Sequence, residues 1–272
     1  MYPKQNPLKV KLSQDQTITG IYIQTNNSAC IEIAASCGYD YVIIDMEHGS
    51  FGIDSTFDLI RDAEAAGICP IVRVPNHDES MIRKVVEGGA MGVYVPDVRT
   101  PEQAKTLIAA TKYQKDGNGG TKGACPTSRA TRGSGAEWEK FIDWSNANVM
   151  IAILVESMEG LKNLSGILSV PGIDTIVLGR FDIAHELGLF GDRYGVRLNQ
   201  IFEEFKTQSQ AASVPFVSRL KSGSEAEMSA EFNALISQGA RIFTMGSDRE
   251  LIAKSFKNAL KPTINNPNMS ET

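Results

Sequence analysis

The sequence predicts a closed (β/α)8 barrel of the TIM-barrel class, and three observations carry that prediction. Short apolar, β-branched runs alternate with stretches of helical period along the chain. Eight such runs can be counted, the number that closes a barrel. The glycine-rich fingerprints of a doubly wound open sheet, GxGxxG after a first strand or a phosphate-binding loop, do not occur. In chain order the runs are Thr17 to Gln24, Tyr41 to Met46, Pro70 to Pro75, Gly92 to Val98, Met150 to Glu156, Thr175 to Gly179, Pro215 to Leu220 and Arg241 to Met245. Between them lie amphipathic stretches that read as covering helices: Thr56 to Ala66, Glu79 to Glu87, Pro101 to Thr111, Leu198 to Ala212, Ser224 to Gln238 and Arg249 to Leu260.

One domain is expected over residues 1–261, since no composition break or long linker divides the 272 residues. Residues 262–272, rich in Pro, Asn and Ser, read as a flexible C-terminal tail. Hydrophobic residues at 42% and charged residues at 22% describe an ordinary folded protein. A net charge of -5, with Lys and Arg scattered, gives no basic field to hold a phosphate backbone, so nucleic acid is not an expected partner. Nothing approaches the roughly 18 consecutive apolar residues of a membrane span, and the expectation is a cytoplasmic protein. The cysteines Cys30, Cys37, Cys69 and Cys125 lack CxxC spacing and read as reduced thiols. One irregular insertion, Tyr113 to Gly135, is glycine-rich and reads as either a functional loop or a surface excursion.

In such a barrel the chemistry comes from the C-terminal ends of different strands. Polar residues closing the apolar runs form a short list: Asp45, Glu47 and His48, then Arg73, Asp97 and Arg99, Glu156, and Arg180 with Asp182. A charge at the end of a buried strand is costly unless it is paired or metal-bound. Glu156 and Asp182 would bring two carboxylates to one mouth, the oxygen chemistry that a hard divalent cation such as Mg²⁺ or Mn²⁺ prefers. Capping of the following helix, or pairing with an arginine, is the structural alternative. Arg73, in IVRVP, offers a planar guanidinium to a carboxylate or 2-oxo acid, unless Glu47 occupies it. His48 suits proton transfer near neutral pH with Asp45 to orient it, or else is a structural histidine. His77 and His185 read as loop and helix residues.

The segments DMEHG at 45–49, IVRVP at 71–75, GAMGVYVPDV at 89–98, VESMEGLKNL at 155–164 and GRFDIAHELG at 179–188 occur together and in order. With them the chain, over roughly residues 17–260, resembles the HpcH/HpaI aldolases, metal-dependent class II pyruvate aldolases that include 2-keto-3-deoxy-glucarate and 2,4-dihydroxyhept-2-enedioate aldolases. The resemblance implies a barrel of the phosphoenolpyruvate/pyruvate-domain type holding a divalent ion through Glu156 and Asp182, with Co²⁺ a further candidate beside Mg²⁺ and Mn²⁺. It implies that Arg73 contacts the carboxylate and keto oxygen of pyruvate, that His48 is the general base for the 4-hydroxyl of the substrate, and that Glu87 is the acidic partner near that histidine. The implied reaction cleaves a 4-hydroxy-2-oxo acid to pyruvate and an aldehyde through a metal-stabilised enolate, in a homo-oligomer, by resemblance a hexamer. No apolar run ends in lysine, which disfavours a Schiff-base mechanism.

Departures from the family pattern surround the ligand. Arg180 stands where the family has proline, Leu154 where it has glutamine, Glu87 where it has aspartate, and QKDGNGGTKG at 114–123 replaces a Pro-Pro-x-Gly-x-Arg-Gly segment. Leu154 and Arg180 would reshape the substrate contacts, and the arginines Arg129, Arg132 and Arg180 would suit an extra carboxylate. Three alternatives therefore stay open: a citrate-synthase-like condensation, a lyase of malyl- or citramalyl-CoA type, and a non-catalytic metal-binding or regulatory barrel.

Overall fold

The computed structural model describes residues 5–190, 192, 194–220 and 224–264. After a short helix α1 (Pro7–Ser13) the chain forms β1 (Ile18–Ile23), α2 (Ser28–Ser36), β2 (Tyr41–Asp45), α3 (Ile53–Ala66), β3 (Cys69–Arg73), α4 (Glu79–Glu87), β4 (Gly92–Val95), α5 (Pro101–Thr111) and α6 (Trp138–Asn148). There follow β5 (Met150–Val155), α7 (Met158–Lys162), α8 (Leu164–Leu168), β6 (Thr175–Leu178), α9 (Arg180–Glu186), α10 (Val196–Ala211), β7 (Phe216–Ser218), α11 (Glu225–Ser237), β8 (Ile242–Ser247) and α12 (Asp248–Ile264). The strands pair in sequential order, and β8 returns to β1, so the barrel is closed as expected. Every pair is parallel, with registers such as Ile43↔Ile71, Ile71↔Gly92 and Ile153↔Ile176.

Side-chain alternation along the strands creates two cores. Val42, Ile44, Val72, Val93, Ile151 and Ile153 face the helices, while Tyr41, Ile43, Ile71, Tyr94, Ala152 and Leu154 fill the barrel interior. Helix α1 plugs the end of the barrel where the strands begin. Leu8 enters the interior core, and the buried Asn6 side chain donates to the Met91 and Asn148 carbonyls. That end is the foot; the ends where the strands finish form the mouth.

The fourth run is a strand only as far as Val95, because Pro96 has no N–H to continue the ladder. The insertion after α5 lies at the foot and folds back on that helix, with Thr121 donating to the Ala109 carbonyl and Lys122 to that of Lys112. Helix α12 runs through Ile264, three residues into the segment read as a tail; residues 265–272 lie outside the described residues. No described helix is long and apolar enough to cross a membrane.

Candidate active site

Strands β2 and β3 set the first half of the mouth. Asp45 and Arg73 are register partners at their ends. The wholly buried Asp45 carboxylate accepts Arg73 Nε at 2.8 Å and Nη2 at 2.6 Å, and Gln24 Nε2 donates to it at 2.9 Å from the end of β1. Burial alone would raise the Asp45 carboxyl, but Arg73 holds it below the usual range. Burial works against the Arg73 charge too, and hydrogen bonding to Asp45, with the charges of Tyr22, Asp45 and Glu47, carries the guanidinium above its ordinary value. Arg73 Nη1 also meets Glu47 Oε2 at 2.9 Å, so the intramolecular partner considered for Arg73 is present alongside Asp45. Burial raises the Glu47 carboxyl in spite of Arg73.

Asp45 does not orient the His48 ring. After β2 the chain turns back so that the backbone N–H groups of Glu47 and His48 both donate to Asp45 Oδ1 at 3.2 Å. The imidazole is turned outward, 62% exposed in its side chain, with Nε2 3.8 Å from Glu47 Oε2. Asp45 is instead the anchor of Arg73.

Strands β5 and β6 set the other half. Glu156 follows β5, and Asp182 sits in the first turn of α9 after β6, where a carboxylate is favoured by the helix dipole. The backbone N–H of Asp97 donates to Glu156 Oε1 at 2.7 Å, an approach for which Asp97 adopts a left-handed φ of 47°. Burial nonetheless pushes the Glu156 carboxyl up to about 7, and the charges of Asp182 and Glu47 add to the rise. Gly179 leaves room for this arrangement, since a Cβ there would lie 2.2 Å from Glu156 Cβ and 2.6 Å from its Oε2.

These residues share one cleft of about 820 Å³, lined by Tyr22, Gln24, His48, Arg73, Leu154, Glu156, Asp182 and Thr244 at the mouth. The cleft runs outward past Arg180, Tyr194 and Phe202 toward α10 and α11. Leu154 is an apolar part of the interior wall. Arg180 lies in the outer part: its guanidinium stacks over Phe202 at 4.3 Å and donates to Asn199 Oδ1 at 3.1 Å.

Two further expectations are not met within the single chain. A helix in this fold returns from mouth to foot, so Glu87, the last residue of α4, is at the opposite end from His48, where its charge acts on Tyr113, Lys122 and Cys125. Arg129 is at the foot too, bonded to Glu64 and to the Gly88 carbonyl, and Arg132 joins it on Glu64. Neither arginine reaches the mouth of its own chain.

Mouth residues that the sequence reading passed over are Gln24, Arg219 and Asp248. Gln24 closes the first run and Arg219 stands next to last in the seventh, so a search for polar residues at run ends would have found them. Asp248, buried at the start of α12, accepts the Gln24 and Thr25 backbone N–H groups at 2.9 and 3.1 Å and so ties the last helix to the end of β1.

A divalent cation fits the donor set. Glu156 and Asp182 share the cleft, and the half-buried Glu156 is raised to about 7 by burial first, with the charge of Asp182 adding to it, as expected where a counter-charge completes the site. Among the described residues no group of three or more His, Cys, Asp or Glu side chains is placed to hold an ion. The protein would thus supply two oxygen ligands and leave the rest to water and substrate, the manner of a hard cation.

A family model described as HpcH/HpaI aldolase/citrate lyase matches residues 18–255. The chain is 35% identical over 187 residues to a 4-hydroxy-2-oxovalerate aldolase of Novosphingobium aromaticivorans, covering 68% of this chain and 69% of that one. It is 31% identical over 207 residues to a 2-keto-3-deoxy-L-rhamnonate aldolase of Klebsiella pneumoniae subsp. pneumoniae, covering 76% of each. The crystal structure of citrate synthase SbnG matches with a TM-score of 0.83 at 27% identity, covering 94% of this chain and 96% of that chain.

Proposed function

The chain belongs to the HpcH/HpaI aldolase/citrate lyase family and is a carbon–carbon lyase, and from that premise we propose that it cleaves a 4-hydroxy-2-oxo acid to pyruvate and an aldehyde. The observation that carries the reading is the convergence of Glu156, Asp182, Arg73 and His48 on one cleft. A divalent ion held by Glu156 and Asp182, Mg²⁺ or Mn²⁺ foremost, would supply Lewis-acid stabilisation of the negative charge that develops on a 2-oxo oxygen. Arg73, fixed by Asp45 and Glu47, binds the substrate carboxylate with the rest of its fork. His48, exposed in the cleft, takes the proton of the 4-hydroxyl as the carbon–carbon bond breaks. Leu154 gives the reacting atoms an apolar wall that excludes water.

The test is exchange of the pyruvate methyl protons in D₂O, followed by proton NMR after chelation and again after addition of Mg²⁺, Mn²⁺ or Co²⁺. Metal-dependent exchange is expected, together with release of pyruvate from 4-hydroxy-2-oxo acids; no exchange with any of the ions refutes the reading. Likeness to citrate synthase SbnG favours a second reading, a condensation on the same scaffold. Citrate formed from oxaloacetate and acetyl-CoA, with no pyruvate exchange, would select it.

Assembly with other copies belongs to the same proposal. Leu251, Ile252, Phe256 and Leu260 are exposed on α12, and α11 buries no residue fully. A homo-oligomer, hexameric by the family resemblance, would cover this apolar surface. Light scattering that gives a monomer at micromolar concentration would exclude it.

A further inference from the structure

The peptide unit that joins Pro96 to Asp97, just past the end of β4, has both of its polar atoms engaged. On one side the Asp97 N–H donates to Glu156 Oε1 at 2.7 Å. On the other, the Pro96 carbonyl oxygen lies 2.7 Å from Nε2 of His77, in the turn between β3 and α4. A carbonyl oxygen only accepts, so the His77 ring carries a proton on Nε2 and donates it here. The peptide is trans, and its C=O and N–H therefore point in opposite directions. His77 and Glu156 hold it from the two sides, and each hydrogen bond polarises the unit in favour of the other.

These two bonds secure a conformation that the chain would not choose by itself. Asp97 has φ 47°, in the left-handed region that non-glycine residues seldom enter. Turning the peptide by half a revolution would bring that φ to about −133°, an extended value open to any residue. Pro96 does not oppose the turn, because its ring fixes φ and leaves ψ free. Further on, Val98 N–H donates to the Leu154 carbonyl at 2.9 Å, and Arg99 Nε donates to the Asp97 carboxylate at 2.9 and 3.0 Å. Those bonds fix the chain beyond the peptide and not the peptide itself. The turned unit would set a carbonyl oxygen against Glu156 Oε1, two acceptors with no proton between them. Glu156 would lose the donor that places it, while its Oε2, which lies toward Gly179 on the β6 side, would no longer be held in position relative to Asp182.

We propose that His77 is a positioning residue for the metal site: by donating to the Pro96 carbonyl it locks the Pro96–Asp97 peptide with its N–H toward Glu156, and so fixes the carboxylate that holds the divalent ion. The inference rests on the reading that Glu156 binds that ion. His77 is not among the residues lining the cleft, so its influence passes through the peptide.

The experiment titrates metal-free protein with Mn²⁺ and follows the free ion by electron paramagnetic resonance. His77→Leu, which fills the space without donating, should bind Mn²⁺ about 10- to 100-fold more weakly than wild type, the loss that follows removal of a partner orienting a metal ligand. His77→Gln, whose amide nitrogen reaches as far as the ring Nε2, should restore most of the affinity. His77→Asn, one carbon shorter, should not. In pyruvate proton exchange the Mn²⁺ concentration for half-maximal rate should rise in His77→Leu by the same factor as the binding constant. Wild-type affinity in His77→Leu overturns the proposal. Equal weakening in the Leu, Gln and Asn variants overturns it too, since the ring would then only pack the turn after β3. Should His77→Leu fail to fold, the ranking of Gln above Asn decides alone, and equal affinities of those two refute the lock. Glu156→Gln is the control on the underlying reading: if it binds Mn²⁺ as tightly as wild type, or wild type binds none, the metal site itself has been misplaced and this inference falls with it.

Discussion

At the foot of the barrel Glu64 is gripped by Arg129 and Arg132, and the buried Lys122 ammonium lies 4.1 Å from the centre of the Tyr113 ring. At the mouth Glu156 and Asp182 line the same cleft, and Glu156 is held near neutrality by burial and by its neighbours' negative charges. Both ends put charge out of water, but the foot pairs its carboxylate Glu64 with two arginines of the same chain, whereas the mouth leaves negative charge to be matched by something else. Barrels of this kind place stability at one end and chemistry at the other, and here the electrostatics show which is which.

The largest test of that contrast is Glu156→Gln, which should reduce metal-dependent pyruvate exchange about a thousandfold, the order of several kcal/mol of charge stabilisation. The same variant should leave the metal-free fold intact and alter its pH dependence. Glu156 ionises near 4.5 when unfolded and at about 7 when folded, so between these values the folded state holds the extra proton. Stability of the metal-free protein therefore falls as pH rises through that window, by up to about 3 kcal/mol, and the fall should be missing in the variant. Denaturant midpoints measured across the window on both proteins decide this.

A smaller effect is expected from Asp45→Asn. The substitution leaves the Arg73 guanidinium short of its buried partner, and a loss of about 3 kcal/mol in unfolding free energy should accompany a raised KM for pyruvate. A change below 1 kcal/mol would show that Glu47 alone suffices. The smallest effect, and one of opposite sign, is expected at the foot. Burial lowers the Lys122 ammonium to about 8, so its cost is full below that pH and is relieved as pH rises toward 10.5. Lys122→Met should therefore gain about 1 kcal/mol at pH 7, read as a higher melting temperature. A loss instead would mean that the ring contact outweighs the burial.

Much of this architecture was legible in the chain, and the limits have physical reasons. The eight apolar runs became the eight strands because a parallel strand buried on both faces needs a continuous apolar run, and the shortness and β-branched content of these runs set them apart from buried helix. Glu156 and Asp182 were legible because a carboxylate right after such a run must reach the mouth. Glu87 and Arg129 were assigned by similarity of segment, and similarity does not say which end of the barrel a residue occupies. Helix direction does: the end of α4 and the loop after α5 return to the foot. The Asp45 partnership was misassigned because three residues of separation suggest contact with the His48 ring, whereas the turn delivers only its backbone N–H. The clip from Asp248 to Gln24 spans 224 residues and leaves no local signal.

That clip makes the two ends of the folded chain meet beneath the catalytic cleft. The seam between the first and last strands closes the barrel with no chain segment crossing directly from one strand to the other. Here the seam ends at Gln24, whose amide side chain donates to Asp45, the anchor of Arg73. Loosening of the C-terminal helix is thus expected to reach the proposed substrate arginine, Arg73, through Gln24 and Asp45. The Gln24 and Thr25 amide protons become natural sentinels, and their exchange with solvent would mark the moment at which the enzyme stops working while most of it is still folded.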